Sequence, residues 1–197
     1  WIEQRFDREK RQRAQIGFDD MLTRLDAALA GDSGQRLAEV IRRQFPMALI
    51  DEFQDTDPLQ YRIFQRIYGI GEARDDCAIL LIGDPKQAIY AFRGADIFTY
   101  LKARAATEGR HHSLDTNFRS STALVEAVND LFQFAERQPL GAFLFKSEAG
   151  NPLPFHRVNA RGRAETLEID GQVQPAMTLW HLAESAPISG DRYRREL

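Results

Sequence analysis

The sequence predicts an α/β fold built on a parallel sheet, and three observations carry that expectation. Two short apolar runs, Met47-Ala48-Leu49-Ile50 and Cys77-Ala78-Ile79-Leu80-Leu81-Ile82, are bounded by turn residues and read as buried strands. Segments with helical spacing of apolar residues precede, separate and follow them, as expected where helices join parallel strands. Each run also feeds a polar turn that carries a carboxylate, Asp51-Glu52 after the first and Gly83-Asp84 after the second. Ligands of such sheets sit at the carboxyl ends of the strands, so the fold class already marks where a site belongs.

Taken in order, residues 1–15 are dominated by Arg, Glu, Lys and Gln and predict an exposed helix. Phe18, Met21, Leu22, Leu25, Ala28 and Leu29 then recur at helical spacing until Gly31-Asp32-Ser33-Gly34 ends the element. A further helix carries Leu37, Val40, Ile41 and Phe45 and stops before Pro46. Beyond the first strand, Thr56 or Asp57 can cap a helix with Pro58 at its first position. Leu59, Ile63, Phe64 and Ile67 form its inner stripe, and Gly69 closes it. After the second strand come a polar-aromatic segment, a helix over roughly 96–106 and a third strand expected at His112-Ser113-Leu114. Ser120 or Ser121 caps a helix bearing Leu124, Val125, Val128, Leu131 and Phe132. From about residue 137, Pro and Gly break the pattern, and two β-like segments, 165–169 and 176–182, flank an Asp170-Gly171 turn.

Composition narrows the function classes. A chain of 197 residues with 43% apolar content can form one sizeable domain or two small ones. A net charge of −3 excludes a globally basic nucleic-acid binder but leaves room for a local cationic groove. Cys77 is the only cysteine and reads as a small buried hydrophobe, so no disulfide framework forms within the chain. That fits a reducing cytoplasm. His111, His112, His156 and His181 are dispersed without metal-ligand spacing and read as structural. No apolar run approaches the ~18 residues of a membrane span. The chain opens on Trp1 and reads as an excised piece of something longer.

Three stretches carry chemistry. Asp51 and Glu52 at a strand end suit a magnesium nucleotide, one carboxylate holding Mg²⁺ and the other orienting an attacking water. The plainer alternative is a strand followed by a solvated acidic turn. In Gly83-Asp84-Pro85-Lys86-Gln87-Ala88-Ile89-Tyr90-Ala91-Phe92-Arg93-Gly94-Ala95-Asp96, the Gln87 amide can donate and accept, which suits sensing of a terminal phosphate. Tyr90, Phe92 and Arg93 interleave rings with a guanidinium, a pattern for stacking on unpaired bases, with core packing of the rings as the alternative. In Thr116-Asn117-Phe118-Arg119-Ser120-Ser121, Arg119 precedes a helix start, where it can meet an anion; the alternative is a surface salt bridge.

In this order, the three stretches resemble motifs II, III and IV of superfamily 1 DNA helicases of the UvrD/Rep type. Gly17-Phe18-Asp19-Asp20-Met21-Leu22, Asp55-Thr56-Asp57-Pro58-Leu59-Gln60-Tyr61-Arg62-Ile63-Phe64 and the Pro85-Lys86 pair further resemble the RecB-type subunits of RecBCD helicase–nucleases (exodeoxyribonuclease V beta). The resemblance covers roughly residues 16–182 and is most specific from 47 to 121. It implies P-loop NTPase (RecA-like) helicase cores. Residues 1–110 would be a partial first core (helicase 1A) and 111–197 a partial second core (helicase 2A), with the ATP cleft between them. It implies ATP and Mg²⁺ as cofactors. Asp51 and Glu52 would serve the metal, Glu52 would activate water, and Gln87 would couple the γ-phosphate to DNA. Tyr90, Phe92 and Arg93 would lie along the single strand, and Arg119 would act as an arginine finger. The implied partners are single-stranded and duplex DNA and RecC- and RecD-like subunits, in 3′–5′ translocation during double-strand-break repair.

The chain departs from that pattern in two ways. Phe92 stands where many relatives carry Trp, a smaller face for stacking. No Gly is followed directly by Lys, so a G-x-x-x-x-G-K-[ST] loop is absent, as are the later helicase motifs and a nuclease-like cluster. The chain alone is therefore expected to lack ATPase activity. Two rivals stand beside this reading: an AddA-type helicase–nuclease motor, and a non-hydrolysing scaffold that keeps the fold.

Overall fold

The computed structural model describes residues 1–89, 94–163 and 166–179. The chain divides into two compact units, one spanning Trp1–Ser113 and a second that begins at Leu114. The first unit runs α1 (Ile2–Gln12), α2 (Phe18–Ala30), α3 (Gly34–Gln44), β1 (Met47–Ile50), a 3₁₀ turn (Phe53–Asp55), α4 (Pro58–Tyr68), β2 (Ala78–Leu81), a second 3₁₀ turn (Pro85–Gln87) and α5 (Ile97–Ala106). Strands β1 and β2 pair in parallel, with Ala48 opposite Ile79 and Ile50 opposite Leu81.

That register places Ala48, Ile50, Ile79 and Leu81 on one face, because side chains alternate along a strand. This face packs on Leu29 of α2, Ala38 of α3 and Ile63 and Ile67 of α4, and on a neighbouring cluster of Phe53, Tyr61, Ile70 and Ala103. The expectation of buried strands needs correction on the other face. Met47, Leu49 and Leu80 are 66%, 59% and 53% exposed, because among the described residues the helices that pack on the sheet do so from one side. A continuous apolar run does not reveal how many of its faces are covered. Phe18, Met21, Val40 and Phe45, at the rims of the α2 and α3 stripes, are exposed as well. Cys77 is half-buried rather than buried, and its thiol points to Tyr68 O.

The helix that follows the acidic turn is fixed at both ends. Asp57 caps α4, accepting from Leu59 N at 2.7 Å and Gln60 N at 2.9 Å, while Gln60 Oε1 accepts from Asp57 N. Pro58 stands at its first position, and Gly69 closes it in the left-handed region at φ 64°. A side chain there would also meet the Glu72 carboxylate. Buried Arg42 ties α3 to this end, donating to Ile67 O at 2.8 Å and to Asp76 Oδ2 at 2.9 Å.

The second unit contains β3 (Thr116–Asn117), α6 (Thr122–Glu136), β4 (Asn159–Ala160), β5 (Glu168–Ile169) and β6 (Gln172–Val173). Ser121 is the cap of α6. The third strand is displaced from 112–114 to Thr116–Asn117, where it pairs in parallel with β4. Leu114 is 97% exposed, so it does not anchor that stretch in a core, and the bonds to β4 come from Asp115 O and Asn117 O. Buried Asn129 of α6 grips the approach to β4, donating to Val158 O at 2.9 Å and accepting from Val158 N at 3.1 Å. The hairpin at Asp170-Gly171 forms, but its second strand is Gln172–Val173 rather than 176–182. Positive φ at both turn residues, 51° and 75°, brings the immediately flanking residues into register. Residue 165 and residues 180–182 of those two segments lie outside the described residues.

Asp57→Ala removes two backbone hydrogen bonds at the start of α4 and should cost about 1 kcal/mol of stability. Thermal unfolding of the chain and its variant measures this, and an unchanged midpoint would deny the cap its role.

Candidate functional site

The site is built where β1 and β2 run out. In a regular parallel ladder, Ile82 would donate to Ile50 O and accept from Glu52 N. The first bond is present at 2.8 Å, but Ile82 O accepts from Phe53 N at 2.9 Å instead. One extra residue is thus accommodated, and Glu52 takes it up by turning left-handed at φ 50°. A non-glycine residue in that region carries strain, and bulges of this kind re-aim side chains beside functional sites. The Glu52 N–H freed from the ladder donates to Asp51 Oδ1 at 2.9 Å. Asp51 and Glu52 are exposed, whereas Phe53 and Gln54, 2% and 1% exposed, turn into the protein.

Gln54 joins the two strand ends. Its Nε2 donates to Glu52 Oε2 at 2.6 Å, and its Oε1 accepts from the backbone N–H of Asp84 at 3.0 Å. Gly83 makes room for this: a Cβ there would fall 2.7 Å from Gln54 Oε1 and 3.1 Å from Phe53 N. Asp84 in turn organises the second loop. Its Oδ1 accepts from Lys86 N at 3.1 Å and meets Lys86 Nζ at 2.8 Å, while its Oδ2 accepts from Gln87 Nε2 at 3.1 Å. Burial alone would raise the Asp84 carboxyl. Hydrogen bonds from the Lys86 and Gln87 side chains and the Lys86 N–H, with the Lys86 charge, outweigh it and hold the group below the usual carboxylate range. A hydrogen-bonded path therefore runs from Glu52 through Gln54 and Asp84 to Gln87.

Sequence reasoning placed Asp51, Glu52 and Gln87 at strand ends, and the structure brings their loops together. It missed Gln54 and Asp84, the residues that connect them. The available signal was an amide directly after a core aromatic, in a turn otherwise made of carboxylates. Tyr90, Phe92 and Arg93 lie outside the described residues. In the second unit, Asn117 Oδ1 accepts from Arg119 N and Ser120 N, both at 2.9 Å, and so fixes the backbone that presents Arg119. Among the described residues the exposed Arg119 guanidinium makes no ion pair.

Among the described residues no three His, Cys, Asp or Glu side chains gather in a cluster able to hold a metal ion. Magnesium characteristically binds through one or two carboxylates, completing its shell with phosphate oxygens and water. Asp51 and Glu52, adjacent and exposed, fit that donor set. His111 is structural, its Nε2 lying 2.9 Å from Arg104 O and 3.1 Å from Thr107 Oγ1 at the end of α5. Among the described residues no helix is long and apolar enough to cross a membrane.

Comparison with known proteins matches residues 2–108 to the UvrD/REP helicase N-terminal domain. The chain is 52% identical over 186 residues to RecBCD enzyme subunit RecB of Escherichia coli K12, covering 93% of this chain and 15% of that protein. It is 44% identical over 172 residues to the RecB subunit of Haemophilus influenzae, covering 87% of this chain and 13% of that protein. With RecB of Mycolicibacterium smegmatis the identity is 47% over 159 residues, or 80% of this chain and 13% of that protein. The chain thus spans about 15% or less of the length of these relatives.

The depressed Asp84 carboxyl gives a pH test. A folded value below the unfolded one adds stability to the 83–87 turn above the unfolded value of ~3.9, and that stability is lost as pH falls through the folded value. The Gln87 side-chain amide resonance should therefore be constant from about pH 5 to 8 and shift only in acid below about pH 4. Asp84→Asn should abolish the acid transition, and a shift near neutrality would contradict the Asp84–Gln87 bond.

Proposed function

The chain belongs to the UvrD/REP helicase family, and from that premise we propose that it is the motor segment of a RecB-type subunit. It would couple ATP hydrolysis to 3′–5′ translocation on single-stranded DNA in double-strand-break repair. The observation that carries this reading is the adjacent, exposed pair Asp51 and Glu52 at the carboxyl end of β1, bonded through Gln54 to the loop of Gln87. Bound Mg-ATP supplies the phosphoryl group and the cation that neutralises its charge. Asp51, with Glu52 beside it, would hold the cation; Glu52 would take the proton of the attacking water; the Gln87 amide would answer to the terminal phosphate.

Residues 1–110 are assigned to the first core and 111–197 to the second, which contributes Arg119 as an arginine finger. Tyr90, Phe92 and Arg93 are assigned to the single strand, the rings stacking on bases and the guanidinium holding phosphate. The working partners of the full-length protein would be single-stranded and duplex DNA and RecC- and RecD-like subunits. The names of the relatives favour the RecB complex over the AddA-type motor. A scaffold without chemistry is disfavoured by the site itself, since a strained, exposed glutamate held by a buried amide contributes nothing to packing.

In the full-length protein, Glu52→Gln should bind ATP nearly normally and hydrolyse it ~10²–10⁴-fold more slowly, because the amide keeps the shape and loses the base. Asp51→Asn should instead weaken Mg²⁺-dependent nucleotide binding. DNA-stimulated ATP hydrolysis and nucleotide titration separate the two, and turnover spared in both variants would end this assignment.

Arg119→Ala should lower turnover far more than nucleotide affinity, since arginine fingers contribute ~10³–10⁵-fold to turnover in other phosphoryl-transfer enzymes. Arg119→Lys should rescue poorly, because an ammonium cannot reproduce the planar fork. Intact turnover per molecule beside a lowered melting temperature would make Arg119 structural.

A further inference from the structure

Gln54 takes no direct part in the chemistry proposed above, yet its side chain is the most deeply buried polar group described in the first unit, at 1% exposed. Its orientation is not arbitrary. A backbone N–H only donates, so the oxygen of the Gln54 amide must face Asp84 N and its nitrogen must face the Glu52 carboxylate. Both ends are thereby used, as a buried amide requires. The consequence for Glu52 is specific. Its Oε2 is held at 2.6 Å, while among the described residues Oε1 accepts no hydrogen bond and stays available to a water.

A second observation supports the same bridge. Gly83 is the residue whose added Cβ would strike Gln54 Oε1, at 2.7 Å, so the sequence leaves this space for the amide. Beyond the bridge, the carboxylate of Asp84 grips Gln87 Nε2, and its N–H grips Gln54. Any movement of Gln87 toward a phosphate is thus felt at Asp84, and through Gln54 at Glu52. We propose that Gln54 is a positioning residue that aims the Glu52 carboxylate and couples it to the Gln87 loop. This rests on the reading of Glu52 as the base that deprotonates the attacking water.

The test uses the full-length protein. Gln54→Glu keeps an acceptor for Asp84 N–H but sets a second carboxylate against Glu52, and adjacent carboxylates share a proton. Turnover at saturating ATP should fall ~10–100-fold, the range for loss of a group that orients a catalytic one, with KM for ATP nearly unchanged. The acid limb of its pH–turnover profile should move upward by about one unit or more. Gln54→Glu added to Glu52→Gln should cost nothing further, because the residue it orients is already disabled. Hydrogen exchange gives a readout independent of turnover: Gln54→Leu should accelerate exchange of the Asp84 amide, and Gln54→Glu should leave it protected. If Glu52→Gln is inactive while Gln54→Glu retains wild-type turnover and acid limb, the positioning role is overturned and the base assignment stands. If Glu52→Gln itself hydrolyses ATP normally, both are overturned. Equal exchange of the Asp84 amide in all three proteins would remove the bridge.

Discussion

The backbone ladder between β1 and β2 continues past the last strand residues, and the way it continues determines the site. Ile82 donates to Ile50 O, then skips a residue and accepts from Phe53 N. The skipped residue, Glu52, has nowhere to go except outward, and its left-handed backbone is the geometry that lets the chain absorb one residue without losing the next ladder bond. Phe53 must come back inward because its ring closes the cluster of Tyr61, Ile70 and Ala103. The strain at Glu52 is therefore offset by burial of its neighbour, an instance of strain persisting where surrounding packing over-determines the backbone.

The same constraint explains the division of labour in the turn. Exposed carboxylates on a mobile loop would sample many rotamers, a disadvantage for the base role proposed for Glu52. Here the two exposed residues are followed by two buried ones, and each buried residue performs a different task. Phe53 fixes the backbone through packing; Gln54 fixes a side chain through hydrogen bonds. Asp84 repeats the logic on the second loop, where its carboxylate gathers Lys86 and Gln87 around a 3₁₀ turn. Each loop is ordered by its own carboxylate or amide, and Gln54 is the point at which one loop acts on the other.

How far the sequence disclosed this depends on the range of the signal. Local signals were reliable: Asp57, Pro58 and Gly69 bound α4 because caps and a left-handed C-terminus are decided within a few residues. The strands were legible as apolar runs, but not the exposure of Met47 and Leu49, which depends on what packs across the sheet. The short strands failed for the same reason. Thr116–Asn117 pairs with Asn159–Ala160, more than forty residues away, and no local pattern announces such a partner. The candidate carboxylates stood out because two of them directly follow an apolar strand. Gln54 did not, because an amide in a polar turn looks solvated until the bulge at Glu52 turns it inward.

Arg119, for which the arginine-finger role is proposed, illustrates the complementary case of a side chain without an ion pair among the described residues while its backbone is held. Asn117 spends its side-chain oxygen on two backbone N–H groups, those of Arg119 and Ser120, immediately before Ser121 caps α6. The loop backbone is thus held by Asn117, with no acidic partner for the guanidinium among the described residues. An ion pair would neutralise Arg119 and would have to be broken before it could meet a phosphate. Holding it through the main chain avoids that cost, since the charge remains solvated and the orientation is set by neutral hydrogen bonds. Glu52 and Arg119 thus share one feature in two separate units: a charged group exposed to solvent beside a neutral side-chain amide, which holds the carboxylate itself at Glu52 and the main chain at Arg119.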